Sequence, residues 1–129
     1  MTERESARQR EEVERILSIQ PVDRAATTLT DGTPITEDHR DIISGGVRDG
    51  QQKGYVVLSD AERSKGFVRP YRDSYLHKPC GTTTTMGRAI AETYARDPGF
   101  YNGTFCVNCK SHFPLDQFVW TGTNERVGS

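Results

Sequence analysis

The sequence is poor in apolar residues. Only 33% of its 129 residues are hydrophobic, against roughly 45–50% in globular domains when glycine is counted with them. Adding the 12 glycines brings this chain only to the low end of that range. A large hydrophobic core is therefore excluded. A small domain of this composition usually needs a disulfide, a metal ion or a partner for stability.

Long hydrophobic runs and paired cysteines are also missing. No stretch approaches the roughly 20 apolar residues of a membrane-spanning helix, and the first five residues are too charged for a secretory signal peptide. Three cysteines cannot form a closed set of disulfides, which favours a reducing compartment. These absences predict a soluble, cytoplasmic protein without a membrane partner.

The chain carries almost no net charge. Its 17 basic and 18 acidic residues give a formal charge of −1, which argues against a general polyanion binder. The charge is unevenly distributed, however, because residues 61–110 hold eight basic and four acidic residues and the remainder is acidic. A local contact with phosphate groups or with an acidic protein surface therefore stays possible.

All three cysteines lie in one stretch with metal-ligand spacing. The pattern is H-x₂-C, a spacer of 25 residues and then C-x₂-C. Structural zinc sites are tetrahedral and commonly use three cysteines and one histidine. Gly81 and Lys110 follow the two pairs, where a tight knuckle turn needs a permissive backbone. The sequence predicts one Zn²⁺ ion with the ligands His77, Cys80, Cys106 and Cys109.

Other interpretations of these residues exist. His112 competes with His77 as the fourth ligand, because it follows Cys109 at the same x₂ spacing. His77 is preferred because Pro79-Cys80-Gly81 is a natural knuckle turn. A redox C-x-x-C usually begins a helix after a strand in a βαβ unit, and it would leave Cys80 unexplained. Three unrelated buried cysteines are the remaining alternative.

A catalytic zinc ion is not expected. Catalytic sites keep one coordination position open for water and need a general base nearby. Four protein ligands are available here, and the H-x-E plus P-C-x-x-C signature of zinc deaminases is missing. The sequence therefore predicts a structural metal in a protein that is not an enzyme.

Turn signals divide the chain into four parts. Residues 1–20 predict a charged helix, since Thr2 and Glu5 form a capping box. Residues 21–54 form a loop-rich linker region, residues 55–121 the zinc-binding module, and residues 122–129 a flexible tail. Between the ligand pairs, Met86–Arg96 has the apolar periodicity of a helix. The predicted class is α+β, with zinc-ribbon or treble-clef-like knuckles separated by a helix.

A basic and aromatic stretch precedes and overlaps the first ligand pair. It combines cations that suit phosphate with rings that suit base stacking. The alternative is that the rings belong to the core and the cations are solvated, because a domain of this size needs its aromatic residues inside. The candidate residues for binding nucleic acid or another partner are Arg69, Tyr71, Arg72, Tyr75 and Lys78.

Three segments carry a resemblance to known proteins: LSDAERSKGFVRPYRDSY, CGTTTTMGRAIAETYARDP and FYNGTFCVNCKSHFPLDQFVW. From Val57 to Trp120 the chain resembles small, mostly uncharacterised zinc-knuckle proteins of tailed-bacteriophage and prophage genomes. That resemblance implies a phage accessory protein in the cytoplasm of a bacterial host and implies no activity. The segment from Cys106 to Phe118 also resembles the knuckle beside phage HNH nuclease domains, but the His-Asn-His set does not follow.

These observations together predict a non-enzymatic, phage-type accessory protein with one structural zinc ion. Its expected partner is nucleic acid or a host or phage protein. The alternative is a protein-binding inhibitor of a host or defence machine, or a minor assembly factor. A zinc-dependent hydrolase would need a carboxylate near the metal, for which Glu92 and Asp73 are the closest candidates in the sequence.

Overall fold

The computed structural model describes residues 21–129, so the predicted helix of residues 1–20 lies outside the described part. Short β-strands and two α-helices alternate along the described chain. The presence of both helices and small sheets confirms the prediction that the protein combines α and β structure. Neither of these helices has the length and apolar composition needed to cross a bilayer.

The first sheet joins the loop-rich region to the predicted module. Strand β1 (Thr27–Leu29) pairs in antiparallel fashion with β2 (Val56–Leu58). Val57 and Leu58 are fully buried. Helix α1 (Asp60–Arg63) follows directly, and the Ser59 hydroxyl caps it by accepting a hydrogen bond from the Glu62 N–H.

The second sheet is the centre of the fold. Strand β3 (Ser74–His77) pairs on one side with β4 (Thr82–Thr85) and on the other with β7 (Phe118–Trp120), both antiparallel. A third sheet contains β5 (Gly103–Cys106) and β6 (Ser111–Pro114). A 3₁₀ turn (Leu115–Gln117) connects β6 to β7. Two hairpins, β3–β4 and β5–β6, therefore lie on either side of a helix in sequence.

Helix α2 (Arg88–Arg96) is this connecting helix and covers the core. Its apolar face buries Ala91, Tyr94 and Ala95. The Tyr94 ring meets the Trp120 ring edge-on, with centroids 5.6 Å apart, an arrangement that aromatic pairs favour. The chain leaves α2 at Asp97, as the following Pro98-Gly99 predicts. The core is therefore aromatic and small.

A buried ion pair between α1 and α2 also binds the start of the loop-rich region. Arg96 Nη2 lies 3.1 Å from Glu62 Oε1 and donates to the Pro21 carbonyl at 3.3 Å. Hydrogen bonds from Lys65, from the Asp23 N–H and from Arg96 outweigh the effect of desolvation and lower the pKa of Glu62 to about 2. The start of the described chain is thus anchored to the module.

The loop-rich region and the C-terminal segment both pack against the module. The Gly50 N–H donates to the Ile43 carbonyl, and a Cβ at Gly50 would lie 2.1 Å from the Lys110 oxygen, so this loop packs directly on the second ligand hairpin. In the segment predicted as a flexible tail, Val127 is fully buried and donates its N–H to the Phe118 carbonyl. The burial of Val127 and backbone hydrogen bonds, such as that from the Trp120 N–H to the Glu125 carbonyl, hold this polar segment on β7.

Candidate metal centre

The two hairpins present their ligands in the same way. His77 is the last residue of β3 and Cys80 lies in the following turn, while Cys106 ends β5 and Cys109 lies in its turn. Each hairpin closes directly after its turn, with the register pairs His77↔Thr82 and Cys106↔Ser111. Equivalent positions on two hairpins therefore supply two donors each.

The turn geometry is also equivalent in the two hairpins. The Gly81 N–H donates to the His77 carbonyl and the Lys110 N–H to the Cys106 carbonyl, both at 2.8 Å. These closing residues have φ values of 73° and 53°. In residues 21–129, Lys110 is the one residue other than glycine with positive φ. The expectation that both positions need an unusual backbone is confirmed.

The four predicted donor groups converge on one point. His77 Nδ1 lies 3.3 Å from Cys80 Sγ and 3.6 Å from Cys109 Sγ, and the sulfurs of Cys80 and Cys106 are 3.6 Å apart. All four ligand atoms lie within 4.8 Å of one another. A tetrahedral zinc ion with the usual bond lengths requires donor separations of about 3.5–3.8 Å. The cluster is therefore consistent with a metal site.

A second set of contacts fixes the orientation of His77. Its Nε2 lies 2.8 Å from Gln117 Oε1, so that Nε2–H donates and Nδ1 keeps its lone pair toward the cysteines. The ring is 1% exposed and stacks between Phe113 and Phe118, with centroid distances of 4.6 and 4.7 Å. Gln117 was missed by the sequence analysis, because nothing in its local sequence links it to a residue 40 positions earlier.

His112 does not belong to this cluster. Its Nε2 lies 2.7 Å from the Tyr55 hydroxyl, and its ring packs against Phe105. Burial lowers the pKa of His112 and favours the neutral ring. Of the two competing histidines, the structure groups His77 with the three cysteines.

The electrostatics of the thiols suit a bound cation. Desolvation opposes ionisation of Cys80, but hydrogen bonds, chiefly from the backbone and side chain of Thr82, outweigh it and lower its pKa to about 6. Desolvation and the neighbouring Cys106 and Cys80 raise the pKa of Cys109 to about 11. Opposite shifts within one cluster are expected when adjacent thiols cannot all ionise without a positive charge between them.

The carboxylates considered for a hydrolase lie outside the four-donor cluster. Glu92 is on α2, where it forms ion pairs with Arg63 and Arg88. Asp73 precedes β3 and accepts hydrogen bonds from the side chains of Tyr71 and Ser74. Both carboxylates have other partners in the fold.

The predicted partner-binding surface is only partly present. Tyr75 is 2% exposed and its hydroxyl donates to the Phe105 carbonyl, so this ring packs in the core, as the alternative interpretation of the aromatic residues expects. Alternation along β3 places Tyr75 on the buried face together with His77. Arg72 lies 4.7 Å from the centroid of Trp120 and pairs with Glu125 at 2.6 Å, which gives it a packing role.

The remaining predicted contact residues do reach the surface. Arg69, Tyr71 and Lys78 are exposed, and within residues 21–129 neither Arg69 nor Lys78 forms an ion pair. Phe67 and Val68 are exposed beside Arg69. This part of the predicted surface is available to a partner.

The fold and the site define a small mixed α/β protein with one cluster of a histidine and three cysteines that can hold a metal ion. No protein-family model, curated protein or solved structure matches the chain. Its function must therefore be inferred from its own residues.

Proposed function

We propose that the protein is a non-enzymatic accessory protein of the phage type in which one structural zinc ion joins two hairpins of a zinc-ribbon-like module. The module binds nucleic acid or a protein partner in the cytoplasm of a bacterial host. The observation that carries this proposal is the convergence of four protein donors, all within 4.8 Å of one another. The likeness of residues 57–120 to phage proteins supplies the biological setting.

The chemistry of the donors favours zinc in a structural role. Three thiolates and one imidazole form a set that selects soft or borderline cations, and tetrahedral geometry favours zinc among them. A closed set of four protein ligands leaves no position for a reactive water. His77 and Cys106 are buried, and Gln117 holds the imidazole in one orientation. Such a site stabilises structure and is poorly suited to catalysis.

The metal would supply stability that the rest of the fold lacks. A two-stranded sheet such as β5–β6 is marginal by itself, and the aromatic core is small. Structural zinc binding contributes directly to the folding free energy. We therefore expect the position of the second hairpin to depend on the ion.

The test is native mass spectrometry of the purified full chain, with and without a chelator, together with circular dichroism. The proposal expects one zinc ion per chain and a loss of ordered structure when the ion is removed. A metal-free protein with an unchanged spectrum would contradict the structural role of the site.

A protein partner is the second candidate, and a specific surface favours it. Phe67, Val68 and Tyr71 are about two-fifths exposed and lie within five residues of one another. The backbone N–H groups of Val68 and Arg69 both donate to the Ala95 carbonyl, which fixes this segment on α2. Exposed aromatic anchors are typical of protein interfaces. An inhibitor of a host or defence machine, or a minor assembly factor, would use such a segment.

Salt dependence separates the two kinds of partner. Binding to nucleic acid should weaken steeply as salt rises, in proportion to the phosphates contacted. Binding through Phe67, Val68 and Tyr71 should respond much less, because it depends on burial of apolar surface. The Tyr71→Ala variant should weaken binding to a protein partner that contacts this segment.

A further inference from the structure

A cavity of about 380 Å³ opens between α2, β4 and β5, beside the loop that ends at Tyr55. Its volume lies within the range of about 300–1,000 Å³ that is usual for ligand sites. The residues Phe105 and Val107 of the second ligand hairpin form part of its wall. This cavity is separate from the segment that carries Arg69 and Tyr71.

The lining of this cavity is aromatic and rich in hydroxyl groups. Tyrosine rings and threonine side chains supply most of it, and no carboxylate of residues 21–129 lines it. A neighbouring cavity beside α1, of about 660 Å³, contains the carboxylates of Asp60 and Glu92. The first cavity is thus better suited to a ligand that combines flat rings with negative charge.

One cation stands at the edge of this cavity without an acidic partner. Arg48 donates to Gln51 Oε1 at 3.2 Å and to the Gln52 carbonyl at 2.9 Å. It forms no ion pair within the described chain, whereas Arg63, for example, pairs with Glu92. A guanidinium that is held in place but not neutralised can receive a phosphate group.

A second cavity, of about 490 Å³, shares part of its wall with the first. Tyr55 and Tyr101 line both cavities. Tyr55 is held through its hydroxyl by His112 and by the Gln52 N–H, and Tyr101 donates its hydroxyl to the Val56 carbonyl. Arg40 lies in the second cavity. We call the two cavities together the Tyr55–Tyr101 groove.

We propose that the Tyr55–Tyr101 groove binds single-stranded nucleic acid, with bases against the tyrosine rings and phosphates toward Arg48 and Arg40. This inference rests on the proposed function. It assigns nucleic-acid binding to a surface that the sequence did not predict. Proteins that bind single strands combine aromatic platforms with cations along the backbone. Bases in a duplex are paired and stacked on each other, so they cannot enter such a groove.

The test measures binding of labelled single-stranded DNA and RNA oligonucleotides to the zinc-loaded full chain by fluorescence anisotropy. A duplex of the same sequence and free mononucleotides are measured in parallel. We expect the single strands to bind more tightly than either. A duplex or a mononucleotide that binds as tightly as the single strand would overturn the proposal.

Two matched pairs of variants locate the site. Thr83→Glu adds a carboxylate at an exposed groove position on β4, and Thr121→Glu adds one at an exposed position outside both cavities. We expect Thr83→Glu to weaken binding about tenfold or more, because like charges repel, and Thr121→Glu to have little effect. Tyr55→Leu should weaken binding about 5- to 150-fold through lost stacking. Tyr55→Phe keeps the ring and loses only the hydroxyl contacts with His112 and Gln52, so it should weaken binding much less.

The outcomes separate this inference from the proposed function. If single strands bind the wild-type chain but Thr83→Glu and Tyr55→Leu, both folded by circular dichroism, bind equally well, the groove assignment is wrong and nucleic-acid binding stands. If no oligonucleotide binds to the folded, zinc-loaded chain, the groove assignment and nucleic-acid binding both fail. Binding of a protein partner through the Phe67–Val68–Tyr71 segment, with little dependence on salt, would then be the function to test.

Discussion

The two ligand hairpins share one turn geometry but differ in what surrounds them. The β3–β4 hairpin belongs to a three-stranded sheet, and its histidine is enclosed by Phe113, Phe118 and Gln117. The β5–β6 hairpin forms a two-stranded sheet of its own, and Cys109 is exposed. The first hairpin is thus held by a third strand. The second has no third strand and contacts the core through Phe105, Cys106 and Phe113, so we expect it to depend more on the ion. Equal ligand motifs need not depend equally on the metal.

The largest effect is expected from removal of a buried ligand. Cys106→Ser should abolish zinc binding and release the β5–β6 hairpin, because structural zinc binding is worth on the order of 10 kcal/mol in small zinc domains. Zinc stoichiometry by native mass spectrometry and near-UV circular dichroism measure the loss. Asn108→Ser, at an exposed position in the same turn, is the control and should keep both. An ordered β5–β6 hairpin in Cys106→Ser would show that the ion does not hold it.

A smaller effect is expected from the residue that orients His77. Gln117→Ala removes the acceptor for His77 Nε2–H, at 2.8 Å in the structure, and should weaken zinc affinity about 10- to 100-fold. Gln117→Glu, which keeps an acceptor oxygen, should retain most of the affinity. Competition with a chromogenic chelator gives both values. Equal affinities for Gln117→Ala and the wild type would remove Gln117 from the site.

The two turns have equivalent closing residues, Gly81 and Lys110, and the effect of glycine can be tested at both positions. Gly81→Ala should destabilise the first hairpin by about 1–2 kcal/mol, since φ is positive and no side chain crowds the site. Lys110→Gly should stabilise the second hairpin, because glycine adopts a positive φ without strain. The loss of the exposed ion pair with Asp49 should reduce this gain only slightly. Chemical denaturation of the zinc-loaded variants measures both. Destabilisation by Lys110→Gly would contradict this account of the turn.

The smallest effect on the metal is expected at His112. His112→Ala should leave one zinc ion bound, because His112 interacts with Tyr55 and stands outside the cluster. Native mass spectrometry compares it with His77→Ala, which should lose the ion or bind it more weakly. Zinc lost from His112→Ala but kept by His77→Ala would reverse the assignment of the fourth ligand.

The metal cluster could be predicted from the sequence because the features that indicate it, ligand spacing and turn residues, are local. Each ligand pair has x₂ spacing, and Gly81 marks one turn. The 25-residue spacer has helical periodicity, so the two pairs can be treated as separate turns that meet in space. The arrangement of four donors around one point follows from these features and from the coordination chemistry of zinc.

The surroundings of the cluster could not be predicted in this way. Gln117 contacts His77 across a separation that only the pairing of β3 with β7 creates. Val127 lies in a polar segment, and its burial depends on space beside Phe118 that local patterns do not reveal. For Tyr75 the sequence left two interpretations open, a contact surface because of its basic neighbours and a core position because of its parity with His77. The structure places it in the core, so alternation along the strand was the better guide.

Hydrogen exchange of the two hairpins, with the zinc ion bound and after its removal by a chelator, tests the central claim most directly. The account predicts one ion per chain, and a loss of amide protection on removal that is much larger in β5–β6 than in β3 and β7. Unchanged protection in β5–β6 after complete removal of the ion would contradict it.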